Sequence, residues 1–167
     1  MLVTVVRKNV LFKPDASRVI ARFMSNNPER SRALVQRVMA FSKKEQHETL
    51  RQVLRNFSKR HRSISAVFER HFEKLTGLLE SMDLHQHPFS AEEKLLIGAY
   101  FTMEYSIEAA AFFNPSLVAD PDQSEVSAGE KRVILSFRAT GEGHISSIVF
   151  RSGIIDNKNN ITLEPPG

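Results

Sequence analysis

From Leu34 to Phe113 apolar residues recur mostly at three- and four-residue spacing; beyond Lys131 they alternate every second residue. The first pattern predicts amphipathic helices and the second half-buried strands. Leu34, Val35, Val38 and Phe41 make the first helical stripe. Asn27-Pro28-Glu29 predicts where that helix begins: a side-chain cap, a proline at the first helical position, and an acid near the positive dipole end. Ser42 with Glu45 three residues later predicts a capping box, and Leu50, Val53, Leu54 and Phe57 continue that second helix. A third carries Ile64, Val67, Phe68, His71, Phe72, Leu75, Leu79 and Met82 as one stripe. Ser90 and Glu93 repeat the capping box before Leu95, Leu96, Ile97, Ala99, Tyr100 and Phe101, with Ile107 to Phe113 as the continuation. Apolar on most sides, this fourth helix is expected to be central. Asn114-Pro115 is expected to end it, because a residue before proline avoids the α region.

Leu2–Val6 and Val10–Phe12 read as short strands, broken by Pro14 and Asp15. After the helices, Asp120-Pro121-Asp122 is turn chemistry. Arg132–Phe137 and Ile145–Phe150 read as strands, and Thr140-Gly141-Glu142-Gly143 as the hairpin connection, with glycines for positive φ. The fold class is therefore α+β: a bundle-like region of about four helices, then an antiparallel hairpin. A lone hairpin is marginal in water and offers unpaired edges to other strands. The pattern is expected to be the opening of a larger β structure, and a homo-oligomer formed through the helices or the strand edges is compatible with it.

Composition narrows the chemistry. The chain of 167 residues has no cysteine, which excludes disulfides, thiolate metal sites and cysteine nucleophiles and fits a cytoplasmic setting. No apolar run approaches the roughly 18 residues of a membrane helix, and no secretory leader is expected. Residues 1–89 hold 17 Lys and Arg against 8 Asp and Glu, a net +9; residues 90–167 hold 6 against 11, a net −5. The basic half could meet phosphates or an acidic partner, or its charges could simply solvate helix faces. Lys59-Arg60-His61-Arg62 carries the same two readings, but no aromatics interleave it as stacking platforms would, and nucleic acid is not the expected partner. His85 and His87 could chelate a metal from an extended segment, or sit in a solvated loop; without a third ligand no metal site is expected. His71 is expected to be a hydrogen-bonded histidine of the core. Glu104 and Glu108, four apart, would share one helix face, for acid–base work or for pairing with arginine. Arg138, at a strand end, and Asn114 are the candidates to reach into a pocket.

These segments, in this order, resemble glycoside hydrolase family 130. Ala111-Phe112-Phe113-Asn114-Pro115-Ser116 is similar to the family's F-N-P-[AS] opening. Val133-Ile134-Leu135-Ser136-Phe137-Arg138-Ala139 is similar to its strand ending in an aromatic residue and Arg, and Gly143-His144-Ile145-Ser146-Ser147-Ile148 to the strand after it. The aspartate of the family's following turn is absent from Arg151-Ser152-Gly153. Lys13–Arg22 and Ile97–Ala110 resemble the extension of longer members. The resemblance implies a five-bladed β-propeller whose members phosphorolyse or hydrolyse β-mannosides with inversion. It implies residues 1–110 as a mainly helical extension, 111–163 as a partial first blade, and 164–167 as a tail. It assigns Asn114 and Arg138 to the mannosyl unit, with Ser116 and His144 as weaker substrate-binding candidates. No organic cofactor is implied; inorganic phosphate is the co-substrate of the full-length enzymes. The catalytic Asp would lie beyond Gly167, so the isolated chain is expected to be inactive. The alternative from another class is a non-catalytic interaction module, whose basic helices bind an acidic partner or nucleic acid.

Overall fold

The computed structural model describes residues 5–24 and 26–165. It is a mixed α+β structure with five α-helices and two antiparallel sheets among the described residues. The chain divides into two compact units, residues 19–105 and residues 1–18 with 106–167. Among the described residues no helix is long and apolar enough to cross a membrane.

The unit of residues 19–105 is mainly helical. Strand β1 (Val19–Phe23) pairs with β2 (Thr102–Ser106), whose last residue lies at the unit's boundary. Between them run α1 (Pro28–Met39), α2 (Lys43–Phe57), α3 (Ile64–Glu73), α4 (Thr76–Glu80) and α5 (Ala91–Tyr100). The predicted caps form. Asn27 Oδ1 accepts from the Arg30 N–H at 2.8 Å. Ser42 with Glu45, and Ser90 with Glu93, each satisfy the other's backbone N–H. Val35, Val38, Leu50, Leu75, Leu79, Leu96, Ile97 and Phe101 build the core. His71 is buried there, its Nδ1 2.7 Å from Thr102 Oγ1. Burial, then the charges of Lys74 and Arg70, push its pKa down.

Two expectations for this region are corrected. The stripe of residues 64–82 is not one helix. After Glu73 the helix is interrupted at Lys74 and Leu75, the latter at φ −92° and ψ 5°, and the Thr76 hydroxyl donates to the Glu73 carbonyl at 2.8 Å where α4 begins. The fourth helix does not run to Phe113. It stops at Tyr100, where the Thr102 hydroxyl donates to the Gly98 carbonyl at 2.8 Å and the Met24 N–H takes the Phe101 carbonyl. Strand pairing with β1 wins over a helix that local composition favoured.

The second unit is built on one antiparallel meander. Its strands are β3 (Ala111–Ala119), β4 (Lys131–Thr140), β5 (Ser146–Ile155) and β6 (Ile161–Leu163), in that spatial order. Strand β4 alternates, with Val133, Leu135, Phe137 and Ala139 inward. Phe112 stacks on Phe137 with ring centroids 4.2 Å apart, and Phe12 approaches the same ring at 5.2 Å. The outward face carries Ile148, Phe150 and Val118, all more than half exposed. At the mouth of the β3–β4 connection the Gln123 amide accepts from the Arg132 N–H at 3.0 Å and donates to its carbonyl at 2.9 Å.

The early strands are corrected too. Leu2–Thr4 lie outside the described residues; Val5, Val6 and Val10–Phe12 form no strand, Phe12 instead packing its ring on the sheet. Pro115 does not terminate a helix. It sits in edge strand β3, at a bulge between Phe113 and Ser116, a position where a missing N–H is tolerated.

Two outcomes follow for the helical unit. A Cβ at Gly98 would overlap the Phe68 carbonyl where α3 and α5 cross. Gly98→Ala should cost on the order of 1–3 kcal/mol, read as a fall of the thermal midpoint by roughly 2–4 °C per kcal/mol. The Lys43 ammonium and the Ser90 N–H hold Glu93 at a pKa of about 2 against the opposing effect of burial. Its stabilisation is therefore present above the ordinary carboxylate range and lost as the pH falls towards 2. Denaturation of wild type and Glu93→Gln should differ at neutral pH and converge over that acid window.

Candidate functional site

The outward face of the meander carries the candidates. Phe113 is the cross-strand partner of Arg138, and Arg138 in turn partners Ile148. Inward Phe137 and Ala139 force Arg138 outward, because side chains alternate along a strand. Two contacts fix its guanidinium. Nε and Nη2 donate to Ser146 Oγ at 3.2 and 3.1 Å. The Phe113 ring lies 5.3 Å below its central carbon, a cation–π arrangement. The fork keeps donors free for a ligand oxygen.

Asn114 follows Phe113 directly, on strand β3 rather than at a helix end as the sequence pattern predicted. The bulge holds it at φ +53°. This is the left-handed region, which asparagine tolerates better than most side chains. Ser116 pairs with Ser136, one step along the face from Arg138. His144 occupies the turn between β4 and β5, with φ +61° beside Gly143 at +71°. Gly141 does not need positive φ; it is extended at φ −92°. All four candidates are exposed. Register gathers Asn114, Ser116 and Arg138 on neighbouring strands, with His144 in the turn at the same end of the sheet. An asparagine amide and an arginine fork can hold hydroxyls, but neither releases a proton at neutral pH. This pair binds and orients; it does not supply an acid.

Glu104 and Glu108 do not share a helix face. They lie in different units. Glu104, on β2, receives both Arg60 Nε and Nη2 at 2.8 Å and has His61 Nε2 at 2.8 Å. The Arg60 hydrogen bonds lower its pKa against burial. This pairing occupies the centre of the basic cluster at Lys59–Arg62. Glu108 has no exposure to solvent. Arg151 Nη2 reaches its two oxygens at 2.8 and 2.7 Å, Arg18 Nη1 one of them at 2.7 Å, and the Asp15 N–H the other at 2.7 Å. Burial pushes its pKa up, but the Arg151 bonds, the Asp15 N–H and Arg18 outweigh it and the carboxyl stays below its ordinary value. Arg151 also lies over the Phe112 ring at 5.3 Å. Pairing of these glutamates with arginine was legible in the sequence; their partners and their separation were not. His85 and His87 are exposed in a loop. Among the described residues there is no group of three or more His, Cys, Asp and Glu able to hold a metal ion.

Compared with protein-family models, with curated proteins and with solved structures, the chain matches none of them.

Disturbing the surroundings of Arg151 and removing Arg138 should differ sharply in cost. Glu108→Gln leaves Arg151 buried without its counter-charge and should cost about 3–5 kcal/mol. Arg138→Ala, on the open face, should stay within about 0.5 kcal/mol of wild type. Urea denaturation of both variants checks the contrast; equal losses would place Arg138 in the framework rather than in a site.

Proposed function

We propose that the chain is the front part of a carbohydrate-active enzyme of the kind that phosphorolyses or hydrolyses β-mannosides with inversion, as its resemblance to glycoside hydrolase family 130 implies. The observation that supports this most is the Phe113–Arg138 register. Two short stretches some 20 residues apart, F-N-P-S and the strand ending in Arg, become neighbours on one exposed surface. The four-stranded antiparallel meander also has the strand number of a propeller blade. In this reading Asn114 and Arg138 hold hydroxyls of the mannosyl unit, with Ser116 and His144 beside them. The proton donor and the groups that hold inorganic phosphate come from sequence beyond Gly167. Residues 19–105 are then an extension, and the working location is the cytoplasm. A homo-oligomer through helices or strand edges is compatible with it. The interaction-module alternative draws less support, because Glu104 already engages Arg60 and His61.

General acid catalysis and electrostatic stabilisation are each worth orders of magnitude in rate. The purified 167-residue chain should therefore release no mannose 1-phosphate from β-mannobiose and inorganic phosphate. Intact-mass analysis in the source cells should find these residues in a species well above 19.0 kDa. In that longer protein Arg138→Ala should lower activity by about 100-fold or more. A stand-alone 19.0 kDa species, or a longer protein with no activity on any β-mannoside, would sink the reading.

A further inference from the structure

The helical unit contains a half-open cleft of about 380 Å³ that the reading above does not use. Its floor is apolar, with Phe23, Leu75, Leu78 and Phe101. Phe23 and Phe101 stack with centroids 6.2 Å apart and 15° between their planes, with Phe101 almost wholly covered behind half-buried Phe23. Two cations border this floor. Lys74 Nζ lies 5.5 Å from the Phe23 centroid, and Arg32 Nη2 leans on Ser81 Oγ at 3.4 Å. Neither makes an ion pair with a carboxylate among the described residues.

A third feature points into the space. Ser31 lines the cleft and is only 6% exposed. A serine hydroxyl there can donate to a ligand oxygen. Ser31 is in the first turn of α1, where the helix dipole favours negative charge. The volume lies within the range of small-molecule sites and equals that of about a dozen waters. It is too small for an extended peptide.

We infer that this cleft binds a small organic anion: an aromatic or branched apolar body against Phe23 and Phe101, and a carboxylate or phosphate head between Arg32 and Lys74, with the Ser31 hydroxyl donating to it. Each half of the site selects one half of the ligand. A neutral aromatic leaves the cations unanswered, and a bare anion leaves the floor wet.

Calorimetric titration of the full chain tests this with four probes: phenyl phosphate, phenylacetate, benzyl alcohol and inorganic phosphate. At least one of the first two should bind at least tenfold more tightly than either of the last two, and the tighter one identifies the head. Arg32→Gln and Lys74→Met should each weaken that binding about tenfold, with the thermal midpoint of the free protein unchanged because both side chains are exposed. Ser31→Ala should weaken it as well. No heat from either aromatic anion at millimolar concentration overturns the inference, as does equal binding by wild type and the Arg32→Gln, Lys74→Met double variant. The outcome is independent of any activity on β-mannosides.

Discussion

Glu108 is a carboxylate cut off from water, and its unit is arranged around that fact. An isolated buried charge is costly by several kcal/mol, so every lone-pair direction must be answered. Arg151 comes from strand β5, Arg18 and the Asp15 N–H from the segment ahead of β1. Three stretches far apart in sequence are thereby held at one point. Such an ion cluster adds little net stability over well-packed apolar groups. What it does is exclude alternatives: a register slip of β5 by one residue would turn Arg151 outward and strand the carboxylate.

The candidate site inherits its orientation from this arrangement. With Arg151 directed inward, its partner Leu135 is inward too, and so are Val133, Phe137 and Ala139 on the same strand. Arg138 has no choice but the other face. The bulge at Asn114 and Pro115 then does two things. It absorbs a proline that cannot donate to a ladder, and it sets Asn114 in a left-handed conformation next to the residue that stacks under Arg138. The outward placement of the candidate residues on one side of the sheet is a product of charge satisfaction on the other.

What was legible in the sequence was local. The caps at Asn27, Ser42 and Ser90 depend on residues three apart, and all three formed. The β4–β5 hairpin was legible because its alternation is strict and its turn holds Gly143. The failures share one cause, long-range pairing. Ile107 to Phe113 has alanines and aromatics that suit a helix as well as a strand, and only β4 decides between them. Pro115 looked like a helix terminator because an edge-strand bulge has no local signature. Glu104 and Glu108 sit four apart, a spacing that means one face on a helix and nothing once the chain turns to strand. At the candidate site, Asn114 and Arg138 stood out as residue types near element ends. Their adjacency is a register property that no single segment carries.

Gln123 shows how the sheet limits its own extent. Its amide oxygen takes the Arg132 N–H, the donor that a further rung of β3 would have used, while its NH2 joins the Asp120 N–H on the Arg132 carbonyl. A side chain here plays the part of a strand one residue long. The connection between β3 and β4 is thus split into a first arm, Asp120 to Gln123, tied to β4, and a second arm, from Ser124 to Gly129, bonded only within the loop. Loop length can change over evolution in the second arm without disturbing the ladder. A residue added to the first arm would pull the amide out of reach and leave the end of β4 open to any passing strand.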